Sequence, residues 1–310
     1  MKRSLCLFTA LSLAVAVCPL RAEPGLSAPA APAPEARLER SDAELYQFVL
    51  GGIALVRSDF GEGTGWLLSK QDRLMVTNHH VVARNTRRSE DLWVIFPVRT
   101  AEREVIAERS YYEQHGRKLE IRARLVYSSP TQDLALLRLE RVPESVHELP
   151  LAPAGARQGE LVRSVGNPGK SEALWVHNSG TVRQIYSKEV RYRSGQQVKA
   201  RMIETQQPIA GGDSGSPVVN GKGEVVGVVA CGVDGPLFNY AIELRELQAF
   251  LADAKEKERA QAQDDLNEGP KAPARLDKYG SGRTERPPAD RERPPAQSPP
   301  DSSGKNRGPG

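Results

Sequence analysis

Ser214 sits in the string GGDSGSPVVNGKGEVVGVV (211–229), a serine among glycines followed by two short apolar stretches. A serine hydroxyl is a weak nucleophile and needs a base within hydrogen-bond reach. The glycines allow a tight turn, so that the N–H groups of Gly212 and Ser214 can converge on one point. Such a pair of donors stabilises an oxyanion. Two upstream strings offer a base and an acid to orient it. LMVTNHHVV (74–82) places His79 and His80 at the end of an apolar run, and TQDLALLRL (131–139) places Asp133 directly before one. Ionisable groups flanked by residues that fold inward are unusual for a surface and suit a reacting site. The chain order is His, Asp, Ser. An esterase of the α/β-hydrolase type needs G-x-S-x-G between a strand and a helix, and the order Ser, Asp, His. Here Ser216 occupies the fifth position, two valines follow and the order differs, so that chemistry is disfavoured.

The elements that must position these residues read as short strands. GIALV (52–56), GWLL (65–68), LMVTN (74–78), LWVIF (92–96), IRARLVY (121–127), LALLRL (134–139), LVRSVG (161–166), VVGVVA (225–230) and NYAI (239–242) alternate with Gly, Asn, Asp and Pro turns. Many short strands between turn signals predict a barrel or sandwich, and the length suits two small barrels. The expected fold is therefore all-β, two antiparallel β-barrels over 45–258 with a C-terminal helix. Glu243 to Ala260 places Leu244, Leu247, Phe250 and Leu251 on one face, which predicts that helix docked on a barrel. Thr100 to Gln114 is highly charged and predicts an exposed helix between strands.

Flanking segments set the setting. Lys2 and Arg3 precede an apolar run, Leu5 to Val17, that is short for a bilayer span; this predicts a secretory signal peptide over 1–22. Export to a periplasm or the exterior follows. A lipoprotein signal ending at Cys18 is an alternative that Val17 disfavours. Of the three cysteines, only Cys231 lies beyond this leader, so the mature chain has no intramolecular disulfide and must be held by its core. Residues 23–44 read as an Ala/Pro-rich linker and 259–310 as a disordered Pro/Arg-rich tail. Basic residues number 43 and acidic ones 39, a net charge of +4, too small a bias for a dedicated nucleic-acid binder. Nothing after the leader is long and apolar enough to span a membrane.

With these residues in view, the chain resembles the trypsin-like serine proteases of the chymotrypsin double-barrel fold. TNHHVV, DLALL and TQQPIAGGDSGSPVVNGKG are similar to motifs of the bacterial HtrA/Deg branch, and GGDSGSPV is closer still to the glutamyl endopeptidases. The resemblance covers about residues 50–250. It implies His80 as general base, because the family's histidine directly precedes the two valines, with Asp133 as orienting acid and Ser214 as nucleophile. Gly212 and Ser214 form the implied oxyanion hole. Strand alternation would also turn His79 away, toward the surface. Peptide or protein substrates are implied, with no metal or organic cofactor. By family position Pro208, Ile209, Val229 and Gly232 line the primary pocket, which has no acid at its base; small or aliphatic side chains before the scissile bond are expected.

Three departures carry expectations of their own. Asp213 stands where these bacterial branches usually have Asn, and no Ile-Val-Gly-Gly start is available to supply an ammonium, so Asp213 is expected to pair with Arg or Lys or to be solvated. An unformed oxyanion loop would leave an inert scaffold on a protease fold, the second function class considered. No PDZ-like segment follows the protease domain. Cys231 is expected to be a small buried hydrophobe, and His115, His147 and His177 to be surface or loop residues without metal-like spacing.

Overall fold

A computed structural model of the chain describes residues 39–58, 61–83, 92–192, 194–232 and 238–268. The leader, most of the linker and 269–310 lie outside the described residues. Those up to Arg259 form one compact unit, and of the second, Ala260–Gly310, only the helix end through Glu268 is described.

Twelve strands close into two antiparallel barrels. The first contains β1 (Ile53–Ser58), β2 (Gly61–Ser69), β3 (Leu74–Thr77), β4 (Leu92–Ile95), β5 (Ile121–Ser129) and β6 (Leu134–Leu139), in the order β1-β2-β3-β6-β5-β4. The second contains β7 (Leu161–Gly166), β8 (Val176–Arg191), β9 (Gln197–Thr205), β10 (Pro217–Val219), β11 (Val225–Gly232) and β12 (Asn239–Glu243), in the order β10-β11-β12-β9-β8-β7. Closure pairs every described strand on both sides.

Strand period explains why the first-barrel runs are apolar on both faces. Ala54 and Val56 of β1, Leu67 of β2, Met75 of β3, and Ala135 and Leu137 of β6 fill the first barrel. Their neighbours Ile53, Leu55, Trp66, Val76, Leu134 and Leu136 point the other way, into a larger cluster that continues through Val162, Met202, Val218, Val228 and Ile242 of the second barrel. One alternation thus fills a barrel and cements the two together.

Four helices complete the described residues: α1 (Asp42–Leu50), α2 (His79–Val82), α3 (Arg109–Leu119) and α4 (Leu244–Glu268). None is long and apolar enough to cross a membrane. α1 begins inside the expected linker. Ser41 caps it, accepting the Glu44 N–H at 3.3 Å while Glu44 accepts the Ser41 N–H at 2.9 Å, a capping box. The helix expected over Thr100–Gln114 starts later, at Arg109. Residues 99–105 form a tight turn instead, with Arg103 left-handed (φ 68°) and Thr100 N–H donating to the Glu104 carbonyl at 2.8 Å. α4 docks as expected through Leu244, Leu247 and Phe250, all buried, and runs past Ala260, where the tail was expected to have begun. Of the long β8–β9 hairpin only NSGTV (178–182) resembles a strand and turn motif of the family; residues 183–205 carried no strand expectation.

Candidate active site

The register of the first barrel brings His80 to Asp133. β3 pairs antiparallel with β6, Thr77 opposite Ala135, so the end of one strand meets the start of the other. Asn78 stands at the N-cap position of the short turn α2 without a side-chain capping bond, and its Nδ2 donates instead to the Asp133 carbonyl at 2.8 Å. His79 and His80 thus lie on a helical turn, not on a strand end. The alternation argument for His79 does not apply. His79 is half-buried, its Nδ1 without a partner among the described residues, and burial holds its pKa below the usual histidine value.

Asp133 is fully buried and left-handed (φ 55°). Its Oδ1 accepts the His80 backbone N–H at 2.9 Å, and its Oδ2 lies 2.8 Å from His80 Nδ1. Two further donors come from the turn of the β8–β9 hairpin. The Tyr192 hydroxyl reaches Oδ2 at 2.7 Å and Gln196 Nε2 reaches Oδ1 at 3.4 Å. A cavity of about 390 Å³ opens beside the imidazole, lined by Gly61, Glu62, His80, Val81, Ala83, Ser194 and Gln196.

The second barrel supplies Ser214, on the loop between β9 and β10. Two glycines are obligatory there. Gly212 has φ 101° and a Cβ would overlap the Asn167 carbonyl; Gly215 has φ 90° and a Cβ would overlap the Thr64 carbonyl. The loop is held to its surroundings by its carbonyls. Gly211 O accepts the Gly169 N–H at 2.7 Å, Gly212 O accepts the Thr64 hydroxyl at 2.9 Å, and Ser214 O accepts the Thr64 N–H at 2.8 Å. In a trans peptide the C=O and N–H point opposite ways. The Gly211 carbonyl is turned to Gly169, so the Gly212 N–H faces away from it. Neither the Gly212 nor the Ser214 N–H has an acceptor among the described residues. Ser214 is 8% exposed, and its hydroxyl donates to the Ala230 carbonyl of β11 at 3.0 Å.

Arg109, at the start of α3, fixes the segment that holds this loop. Its guanidinium pairs with Glu62 at 2.6 Å and donates to the carbonyls of Pro168 (3.0 Å) and Ser171 (3.1 Å), on either side of Gly169. Glu62 is also paired with Arg57 at 2.7 Å.

Asp213 corrects an expectation. It neither pairs with a cation nor meets solvent: it is 1% exposed, its Oδ2 accepts the Ala210 N–H at 2.9 Å, and its Oδ1 has no partner among the described residues. Burial pushes its pKa up to about 6, only partly offset by that one hydrogen bond. Ser216 Oγ is buried and has no partner among the described residues; it and Asp213 Oδ1 crowd the place that a Cβ on Gly166 would take.

Of the residues expected in the primary pocket, Pro208 is exposed, Ile209 half-buried, and Val229 buried in the core cluster. Gly232 pairs with Asn239 at the end of β11. The polar groups beside them were not foreseen: Asn239 Nδ2 donates to the carbonyl of Gln207, whose own amide donates to Ser164 Oγ at 3.1 Å. The Cys231 side chain lies outside what is described. His147 lies in a loop, as one of the expected alternatives had it, and His177 on β8; both are half-buried, and burial lowers the pKa of each. His115 is exposed on α3, stacked on Tyr111. No cluster of three or more His, Cys, Asp or Glu suited to a metal occurs among the described residues.

A profile of the Trypsin-like peptidase domain matches residues 63–228. This chain belongs to the trypsin-like peptidase family. It is 33% identical over 197 residues to the "Pro-apoptotic serine protease nma111" of Aspergillus clavatus, covering 61% of this chain and 17% of that one. It is 30% identical over 196 residues to the mitochondrial "Serine protease HTRA2" of Bos taurus, covering 63% and 36%. The chain thus spans well under half the length of these curated relatives. The active-form crystal structure of the Rv3671c protease from M. tuberculosis has the same fold, with TM-score 0.52 and 22% identity over 67% of this chain and 82% of that one.

Proposed function

We propose that this chain is an exported serine endopeptidase in which Ser214 attacks, His80 carries the proton and Asp133 holds His80. The donor count on Asp133 carries the reading. Three donors, the His80 and Gln196 N–H groups and the Tyr192 hydroxyl, converge with the His80 ring nitrogen on a buried carboxyl, an arrangement that suits an acceptor. The His80 Nδ1 facing it then carries a proton, and Nε2 keeps the lone pair that a general base needs.

In the first step the Ser214 hydroxyl turns from the Ala230 carbonyl and gives its proton to Nε2 as Oγ bonds to the substrate carbonyl carbon. The oxyanion is taken up by the Gly212 and Ser214 N–H groups. Collapse breaks the C–N bond, the imidazolium protonates the departing amine, and an acyl-enzyme remains. Water, deprotonated by Nε2, releases the acid and restores Ser214. No step requires a metal or organic cofactor. Substrates are proteins or peptides. Pro208, Ile209, Val229 and Gly232 would favour a small or aliphatic residue before the scissile bond, with Gln207 and Asn239 adding polar groups beside them. Lys2, Arg3 and the following apolar run support export to the periplasm or exterior.

One observation favours a second reading, a latent protease-fold protein: Ser214 Oγ is bonded to Ala230 and not to His80. Catalytic hydrogen bonds often form only with substrate bound, so the arrangement is also that of a resting enzyme. Reaction of residues 23–310 with a fluorophosphonate probe separates the two. Labelling that Ser214→Ala abolishes is the expected result. A folded protein that stays unlabelled would overturn the enzymatic reading.

A further inference from the structure

We infer that Tyr192 is a positioning residue for the reaction: from the second barrel, its hydroxyl holds the Asp133 carboxylate and so sets His80 for Ser214. The inference rests on the triad reading above and adds to it a residue that no motif marks.

Two contacts reach the His80–Asp133 pair from the one side chain. The hydroxyl donates to Oδ2 at 2.7 Å, the same oxygen that faces His80 Nδ1, and the ring meets the imidazole edge-on, with centroids 5.4 Å apart and planes at 87°. The hairpin turn that carries it is anchored. The Tyr192 N–H donates to the Gln196 carbonyl at 2.9 Å, and Gln196 Nε2 donates to the Pro130 carbonyl at 2.9 Å. The Lys199 N–H donates to the Thr131 carbonyl at 2.8 Å. Tyr192 is therefore attached to the very segment, 130–133, that ends in the acid.

The chemistry follows from sharing one oxygen. Oδ2 accepts from a phenol and an imidazole together, so the phenol draws off part of the charge that would otherwise stabilise the imidazolium. It also fixes the direction in which Oδ2 presents itself to Nδ1. Without the hydroxyl, the whole of that lone-pair density falls to His80. The imidazolium is then favoured, and the acid limb of the rate profile moves to higher pH. A residue that merely filled space would leave that limb where it was.

The test is Tyr192→Phe in the mature chain, which keeps the ring and its edge contact and removes only the donor. Misdirection of Oδ2 outweighs the gain in imidazolium stability, since a misplaced catalytic group costs roughly 10- to 100-fold. The expected result is a fall in kcat of about that size with KM changed less than about twofold, an acid limb displaced upward, and a thermal midpoint like the parent's. Proton NMR in the inactive Ser214→Ala background provides a second readout that needs no turnover. The downfield Nδ1–H resonance of His80 should shift when Tyr192→Phe is added. Unchanged kinetics across pH together with an unmoved resonance would overturn the assignment. The underlying triad reading fails separately, if Ser214→Ala itself hydrolyses substrate.

Discussion

Two aspartates of this protein are equally buried and oppositely treated. Asp133 is 0% exposed and Asp213 1%. Asp133 receives donors on both oxygens, from its own barrel through His80 and from the other through Tyr192 and Gln196. Asp213 receives a single backbone N–H, and its second oxygen has no partner among the described residues. The first has polar partners on both oxygens in a dry place. The second is pushed up to about 6 and retains its proton through acid pH. Burial alone does not decide what a carboxyl does; the number of donors around it does.

The same substitution should therefore have opposite consequences at the two positions. Asp133→Asn keeps the shape but places an amide nitrogen in place of an oxygen that faces two polar partners, and it can hold the wrong imidazole tautomer. A loss of kcat of about 10³- to 10⁴-fold is expected, with substrate affinity nearly kept. Steady-state kinetics with a peptide substrate measure it. Activity within tenfold of the parent would mean that Asp133 is not the orienting acid.

Between the two lies a steric test of the Asp213 side. Gly166 packs so closely that a Cβ there would stand 2.6 Å from Ser216 Oγ and would overlap Asp213 Oδ1. Gly166→Ala should force the carboxyl aside and cost about 1–3 kcal/mol, a drop in Tm of roughly 3–10 °C for a domain of this size. Thermal unfolding followed by circular dichroism measures it. An unchanged Tm would mean that the space behind the loop is not tight and that Asp213 is free to move.

What could be read from the chain follows the range of the interactions. Ser214, His80 and Asp133 announce themselves because each sits in a short string whose local chemistry is unusual, and the first-barrel strands because their runs are apolar. Tyr192 and Gln196 carry no such signal. They act on an acid some sixty positions upstream, across the barrel interface, through a hairpin whose strands mix polar residues on both faces (VHNSGTVRQIYSKEVR) and so lack a clean period of two. Arg109 was hidden for the same reason: in sequence it is one arginine in a charged stretch, and only the fold brings the Pro168 and Ser171 carbonyls to it. The fate of Asp213 was misjudged because a charge was assumed to seek a partner, whereas a carboxyl in a site without donors can keep its proton. α1 is the opposite case. The capping signature Ser41-x-x-Glu44 stands in the chain, directly after Ala/Pro-rich residues whose composition is that of a linker.

The smallest effect is also the one with a definite sign. Below about pH 4 Asp213 is protonated whether the chain is folded or not, and it contributes no pH dependence. As pH rises from there to about 6, the unfolded chain releases the proton while the folded one retains it, so the folded state binds more protons and its stability falls. Above about 6 the loss is complete, and an upward shift of this kind corresponds to roughly 1.5–3 kcal/mol. Asp213→Asn removes the titration, keeps an oxygen for the Ala210 N–H, and offers an amide donor toward the unpartnered Ser216 hydroxyl. Its Tm should exceed the parent's by several degrees at pH 8 and match it near pH 4. A difference that stayed constant across that interval would show that the effect is one of packing, and that the contrast between the two buried aspartates is not one of charge.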